Sequence, residues 1–67
     1  MKRASICTIG DEILIGQVVD TNSSHISQAL NSIGIKVSRM VSISDDHADI
    51  ISSLEEELSR NDIVIVT

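Results

Sequence analysis

The carboxylates Asp11 and Glu12, set between Gly10 and Gly16, are with Asp20, Thr21, Asn22, Asp45 and Asp46 the groups of this 67-residue chain whose types and spacing bear on chemistry. Paired carboxylates beside glycine turns suit a hard divalent cation, since Mg2+ takes one or two carboxylates and completes its shell with waters and phosphate oxygens. Each residue also has a plainer use. Asp20, Asp45 and Asp46 precede helical stretches, where an aspartate accepts backbone N–H bonds and meets the positive end of the helix dipole, an effect of about 0.5–2 kcal/mol. Capping is the expected role of Asp46, whereas for Asp45 capping and ligand binding stand level. Thr21 and Asn22 fit a helix start, although an Asn side chain also orients ligands. Gly10 and Gly16 either supply positive φ in turns or let backbone N–H groups come close to a phosphate, and two glycines do not decide between these. Asp11 and Glu12 lie too far before the helix to cap it, which leaves ligand or metal binding as their expected work, ahead of a solvated turn.

These groups need elements to position them. Residues 4–9, Ala-Ser-Ile-Cys-Thr-Ile, form a β-prone run closed by Gly10, the pattern of a strand buried on both faces. Residues 10–20 read as a long loop with a short extended piece at Gln17-Val18-Val19. Ile26, Ala29, Leu30 and Ile33 recur at i, i+3, i+4 and i+7, which predicts a helix over 21–33 with Gly34 as its left-handed cap. Ile35, Val37, Val41 and Ile43 alternate with Lys36, Ser38, Ser42 and Ser44, a strand with one face more polar than the other. A second helix, capped by Asp45 or Asp46 and ended by Asn61, would pack through Ile50, Ile51, Leu54 and Leu58. Glu55, Glu56, Glu57 and Arg60 would then face water. Ile63-Val64-Ile65-Val66 reads as a central strand covered on both faces.

Strand, helix, strand, helix, strand is an α/β order, and right-handed helical crossovers make the strands parallel. The expected fold is a three-layer αβα, Rossmann-like arrangement, of which the chain holds the first β-α-β-α-β half. Parallel strands bring Asp11, Glu12, Asp20, Asp45 and Asp46, half of the ten acidic residues, to the carboxyl ends of the first two strands. Open α/β sheets bind ligands at that edge. Lys2, Arg3, Lys36 and Arg60 fall at or near the opposite end. Three parallel strands and two helices leave strand surface and backbone groups uncovered, so cover is expected from the remainder of a longer domain, from a second copy in a homo-oligomer, or from an exchanged element.

A net charge of −5 argues against nucleic acid and anionic membranes as partners, both of which need clustered Lys or Arg. No stretch approaches the ~20 apolar residues of a membrane span or forms a signal peptide, and a cytoplasmic location is the default. The single cysteine, Cys7, excludes an internal disulfide and reads as a small buried hydrophobe. His25 and His47 lie far apart, without metal-ligand spacing or an acid-base partner. Aromatic residues are absent, so no stacking surface for a purine or pterin ring exists within the chain.

The run Gly10-Asp11-Glu12-Ile13-Leu14-Ile15-Gly16, then Asp20-Thr21-Asn22, the helix end Leu30 to Gly34, Asp45-Asp46 and Asp62 before the last strand together resemble the amino-terminal domain of the CinA (competence/damage-inducible) proteins. That domain belongs to the wider molybdopterin-binding (MogA/MoaB/MoeA-like) family of molybdenum cofactor biosynthesis. The resemblance covers essentially all of residues 1–67, as the amino-terminal part of one such domain, and stops before the family's Gly-Gly-x-Gly-Pro-Thr loop. Ser44 departs from a pattern that usually has glycine there. The resemblance implies a small-molecule ligand of nucleotide or pterin phosphate type, lined by Gly10, Asp11, Glu12, Gly16, Asn22 and Asp45. It implies Mg2+ held by Asp11, Glu12 and Asp45, and a parent protein that is a metal-dependent hydrolase of the ADP-ribose pyrophosphate. Without the later loop the 67-residue chain alone is expected to be inactive. The alternative the resemblance leaves open is a non-catalytic module with molybdopterin as ligand.

Overall fold

The computed structural model describes all residues 1–67. Its elements run β1 (Arg3–Ile9), α1 (Asp11–Leu14), α2 (Thr21–Ser32), β2 (Lys36–Ile43), α3 (His47–Arg60) and β3 (Ile63–Val66). The three strands form one parallel sheet in the order β2-β1-β3. The expected α/β class and parallel arrangement are therefore present. No helix is long and apolar enough to cross a membrane.

β1 is the centre of the molecule. Residues Ala4 to Thr8 are all buried, because side chains of alternate parity point to opposite faces and each face carries a helix. Ser5 reaches Glu57 of α3, whereas Thr8, of opposite parity, reaches Ser23 of α2 and the preceding Asp20. The two long helices thus lie on opposite faces, and the layers are αβα. The apolar core is small, namely Ala4, Ile6, Cys7 and Ile43. Burial pushes the Cys7 thiol above its ordinary pKa, so it remains a protonated, inert core group.

Local chemistry explains where the helices begin and end. The Asp20 carboxylate accepts from the Ser23 backbone N–H at 3.1 Å and caps α2, and Asp46 accepts from Asp49 N–H at 3.1 Å and caps α3. Beyond α2, Ile35 N–H donates to Leu30 C=O and Gly34 N–H to Asn31 C=O, the paired pattern of a Schellman motif, with Gly34 at φ 87°. Asn61 follows α3, its backbone and side-chain N–H groups both donating to Glu57 C=O.

Five expectations need correction. The segment after Gly10 is not all loop: Asp11–Leu14 close one helical turn, too short to show a period in sequence, and residues 17–19 are not a strand. Asp11 and Glu12 accordingly stand in the first turn of a helix. In α2 the inward face is Ser23, Ile26, Ser27 and Leu30, while Ala29 and Ile33 are exposed. The alternation of β2 is broken by a bulge. Ala4 pairs with Val37 but Ser5 pairs with Arg39, so Ser38 is an extra residue, and Val37 falls on the α2 face while Val41 and Ile43 fall on the α3 face. β3 is an edge strand, and the central position belongs to β1.

The fifth correction concerns the glutamate run. Glu55 and Glu56 are exposed, and so are Ile51 and Leu58, which were expected to pack with Ile50 and Leu54, but Glu57 is only 1% exposed and faces the sheet. It accepts a 2.7 Å bond from Ser5 Oγ and lies 3.4 Å from the Arg39 guanidinium. Partners on β1 and β2 therefore override the amphipathic pattern of the helix itself. Large exposed apolar residues sit chiefly on helices and on the connection to α2, with Met40 and Val66 the strand residues among them. Beyond β1 the cover is incomplete, as expected: of β2 only Ile43 is buried, β3 has no buried residue, and both strands leave their outer edges open.

Candidate functional site

The carboxyl ends of β1 and β2 meet at one rim. Gly10 N–H donates to Ile43 C=O at 3.0 Å, carrying the ladder past the last strand residues and setting the two following loops side by side. Asp11 then bridges them. Its Oδ1 accepts from Ser44 Oγ at 3.0 Å and from Asp45 N–H at 3.2 Å. Asp11 and Asp45 are thereby adjacent, both exposed, on the edge where parallel order predicts them.

Glu12 points elsewhere. Consecutive residues of a helical turn are about 100° apart, so Asp11 and Glu12 cannot share one direction. The Glu12 carboxylate folds back over Gly10, where a Cβ would lie 2.8 Å from its Oε1. The exposed Glu12 tip can shift, so what favours glycine at position 10 is its φ of 158°, which residues with a Cβ rarely adopt. Gly16 has open space around it and a φ of 80°, so its use is the turn itself. Gln17 and Val18 N–H both return to Glu12 C=O, which winds the segment tightly and leaves Leu14, Ile15, Val18 and Val19 exposed beside the acidic rim.

Asp20 and Asn22 open α2 at the same rim. Asp20 Oδ2 accepts from Thr8 Oγ1 at 2.8 Å and from Ser23 Oγ, while Oδ1 takes the Ser23 N–H. Bonds from the Ser23 hydroxyl, the Ser23 N–H and Thr8 hold the Asp20 carboxyl below its usual pKa. Asp20 is therefore an ionised anchor between helix and central strand, and Asn22 stands exposed in the first turn that it fixes. Thr8, Ser23 and Ser44 were not among the expected site residues. The spacing Asp20-x-x-Ser23 is a signal for the cap, but no local pattern pairs Thr8 or Ser44 with its carboxylate.

No group of three or more His, Cys, Asp or Glu side chains converges so as to hold a metal ion. Asp11 and Asp45 meet through a carboxylate and an amide, and Glu12 turns away, so Asp11, Glu12 and Asp45 do not make a closed metal site by themselves. The rim encloses no cavity within these residues.

Comparison with known proteins follows the same lines. The family described as "probable molybdopterin binding domain" matches residues 5–67. A CinA-like protein of Flavobacterium psychrophilum is 51% identical over 65 residues, 97% of this chain and 16% of the relative. One of Geotalea uraniireducens is 45% identical over 67 residues, all of this chain and 16% of the relative. A crystal structure of the protein CinA from Thermoplasma acidophilum is similar with a TM-score of 0.92 and 35% identity, covering 97% of this chain and 38% of that one. The chain thus spans about 16% of the length of these curated relatives.

Proposed function

Because the chain belongs to the family of probable molybdopterin binding domains, and is similar to CinA-like proteins over nearly its whole length, we propose that its carboxyl rim binds a small phosphate ligand of nucleotide or pterin type. The observation that carries this is the Asp11 bridge to Ser44 and Asp45, which joins the loops after β1 and β2. Strand order supports it. The chain passes from β1 to β2 and then back across to β3, so the loop after β1, which carries Asp11, also borders the crevice outside β1 and β3, a topological switch point of the kind where open α/β sheets hold ligands.

The finer reading is that the whole protein is a Mg2+-dependent hydrolase of ADP-ribose pyrophosphate. When bound, Mg2+ would neutralise charge developing on the pyrophosphate and acidify an attacking water. The chain's own residues do the positioning. Asp11 and Asp45 offer carboxylates to a phosphate-bound cation or its waters, and Glu12 joins them only by swinging away from Gly10. The second reading, a non-catalytic molybdopterin-binding module, is supported by the family description that matches residues 5–67. A second copy, or further chain of a longer domain, is the proposed cover for the outer sheet edges, and a cytoplasmic location suits this ligand.

Titration of the 15N-labelled chain with ADP-ribose, with and without MgCl2, tests the proposal. Amide shifts are expected at residues 10–22 and 44–46, weakened in Asp11→Asn, with no ADP-ribose hydrolysis by the 67-residue chain. Molybdopterin in place of ADP-ribose separates the two readings. Silence of the rim toward both ligands would refute the site.

A further inference from the structure

α3 has two apolar stripes of equal make-up, Ile50 with Leu54 and Ile51 with Leu58, and the second is turned outward. Ile50 and Leu54 pack toward the sheet, while Ile51 is 45% and Leu58 61% exposed, and Glu57, next to Leu58, is buried. A turn of about 100° about the helix axis would exchange Glu57 for Leu58 and Ser53 for Leu54 at the sheet, and would bring Glu55 to the place of Leu54. The polar partners oppose that turn. Ser5 Oγ and the Arg39 guanidinium occupy the α3 face of the sheet and hold the two carboxylate oxygens of Glu57. Arg39 is on this face because of the Ser38 bulge, since in a regular ladder it would pair with Ile6 and face α2. Ser38 Oγ adds a bond to Asn61 at the end of α3. Bulge, arginine and buried glutamate form one lock.

We propose that Glu57 is a positioning residue: it fixes the rotation of α3 and so delivers Ser44, Asp45 and Asp46 to the rim. The geometry is direct. α3 starts immediately after its cap, Asp46, and a backbone point on a helix of ~2.3 Å radius moves about 3.5 Å when turned through 100°. A displacement of that size exceeds what the 3.2 Å bond from Asp45 N–H to Asp11 tolerates. The functional meaning of the lock rests on the ligand site proposed above, but its test needs no ligand, so the two fail separately.

The test follows Leu58 and the rim by NMR in the full 67-residue chain. In Glu57→Gln, with a soluble paramagnetic relaxation agent, broadening of the Leu58 methyl signals should fall severalfold as the side chain turns inward, and the Ser44 and Asp45 amide signals should move. Leu58→Lys, which makes the turned helix bury an ammonium, should return those rim signals toward wild type when added to Glu57→Gln. Rim amides that stay in place in Glu57→Gln, or that move and are not restored by Leu58→Lys, overturn the proposal. If Glu57→Gln yields no folded protein, Arg39→Gln, altered at a half-exposed side chain, is read by the same two signals.

Discussion

Each face of β1 carries one hydroxyl that donates to one carboxylate, and the two pairs are satisfied in different ways. On the α2 face Thr8 meets Asp20, whose remaining demand is filled by the backbone and hydroxyl of Ser23 at the helix start. On the α3 face Ser5 meets Glu57, whose second oxygen is balanced by Arg39. The first pair is local and sits at the ligand edge, so one short segment specifies it. The second is buried and spans β1, β2 and α3, so no single segment does. A carboxylate beside a helix start finds its donors nearby, whereas one buried against the middle of a sheet needs a guanidinium brought from elsewhere.

The sharpest way to break the comparison is Glu57→Ala, which strands Ser5 and frees Arg39. A loss of about 1.5–3 kcal/mol is expected in urea unfolding, the cost of leaving the buried Ser5 hydroxyl without its charged acceptor while the half-exposed Arg39 returns to water. A domain of this length has a total stability of only about 3–10 kcal/mol, so the variant should lose a large share of it. Asp20→Ala should cost less, about 1–2 kcal/mol, and hydrogen exchange should show the loss concentrated at the start of α2.

Acid separates the faces further. Because the folded-state pKa of Asp20 is depressed, its contribution is fully present above the unfolded carboxyl value near 3.9 and disappears as pH falls through the lower folded value. Stability measured from pH 5 downward should therefore drop less steeply in Asp20→Asn than in wild type. The smallest effect belongs to the exposed Glu56–Arg60 pair, 3.1 Å apart on α3. Arg60→Ala should change stability by no more than about 0.5 kcal/mol, and a larger loss would mean that surface charge, and not the buried lock, holds α3.

Much of the α2 side was legible in the sequence and much of the α3 side was not. Asp20, Gly34, Asp46 and Asn61 act where their types and positions predict, because caps are decided by a few neighbouring residues. The adjacency of Asp11 and Asp45 was also readable, since parallel β/α order alone brings those loops to one edge. The turn at Asp11–Leu14 was hidden by its length, and with it the divergence of Glu12 from Asp11. The Ser38 bulge has no composition signature, yet it moves Arg39 across the sheet and so reverses the polarity expected at Glu57. The central place of β1 depends on which strand pairs with which, information that no one strand carries.

The same bulge makes the two flanks of the sheet unequal. β2 presents a bent ladder outward, while β3 presents a short regular one. Any strand arriving from another segment or another molecule finds matching hydrogen-bond spacing beyond β3 and a mismatch beyond β2, so lateral growth of this sheet has a preferred direction.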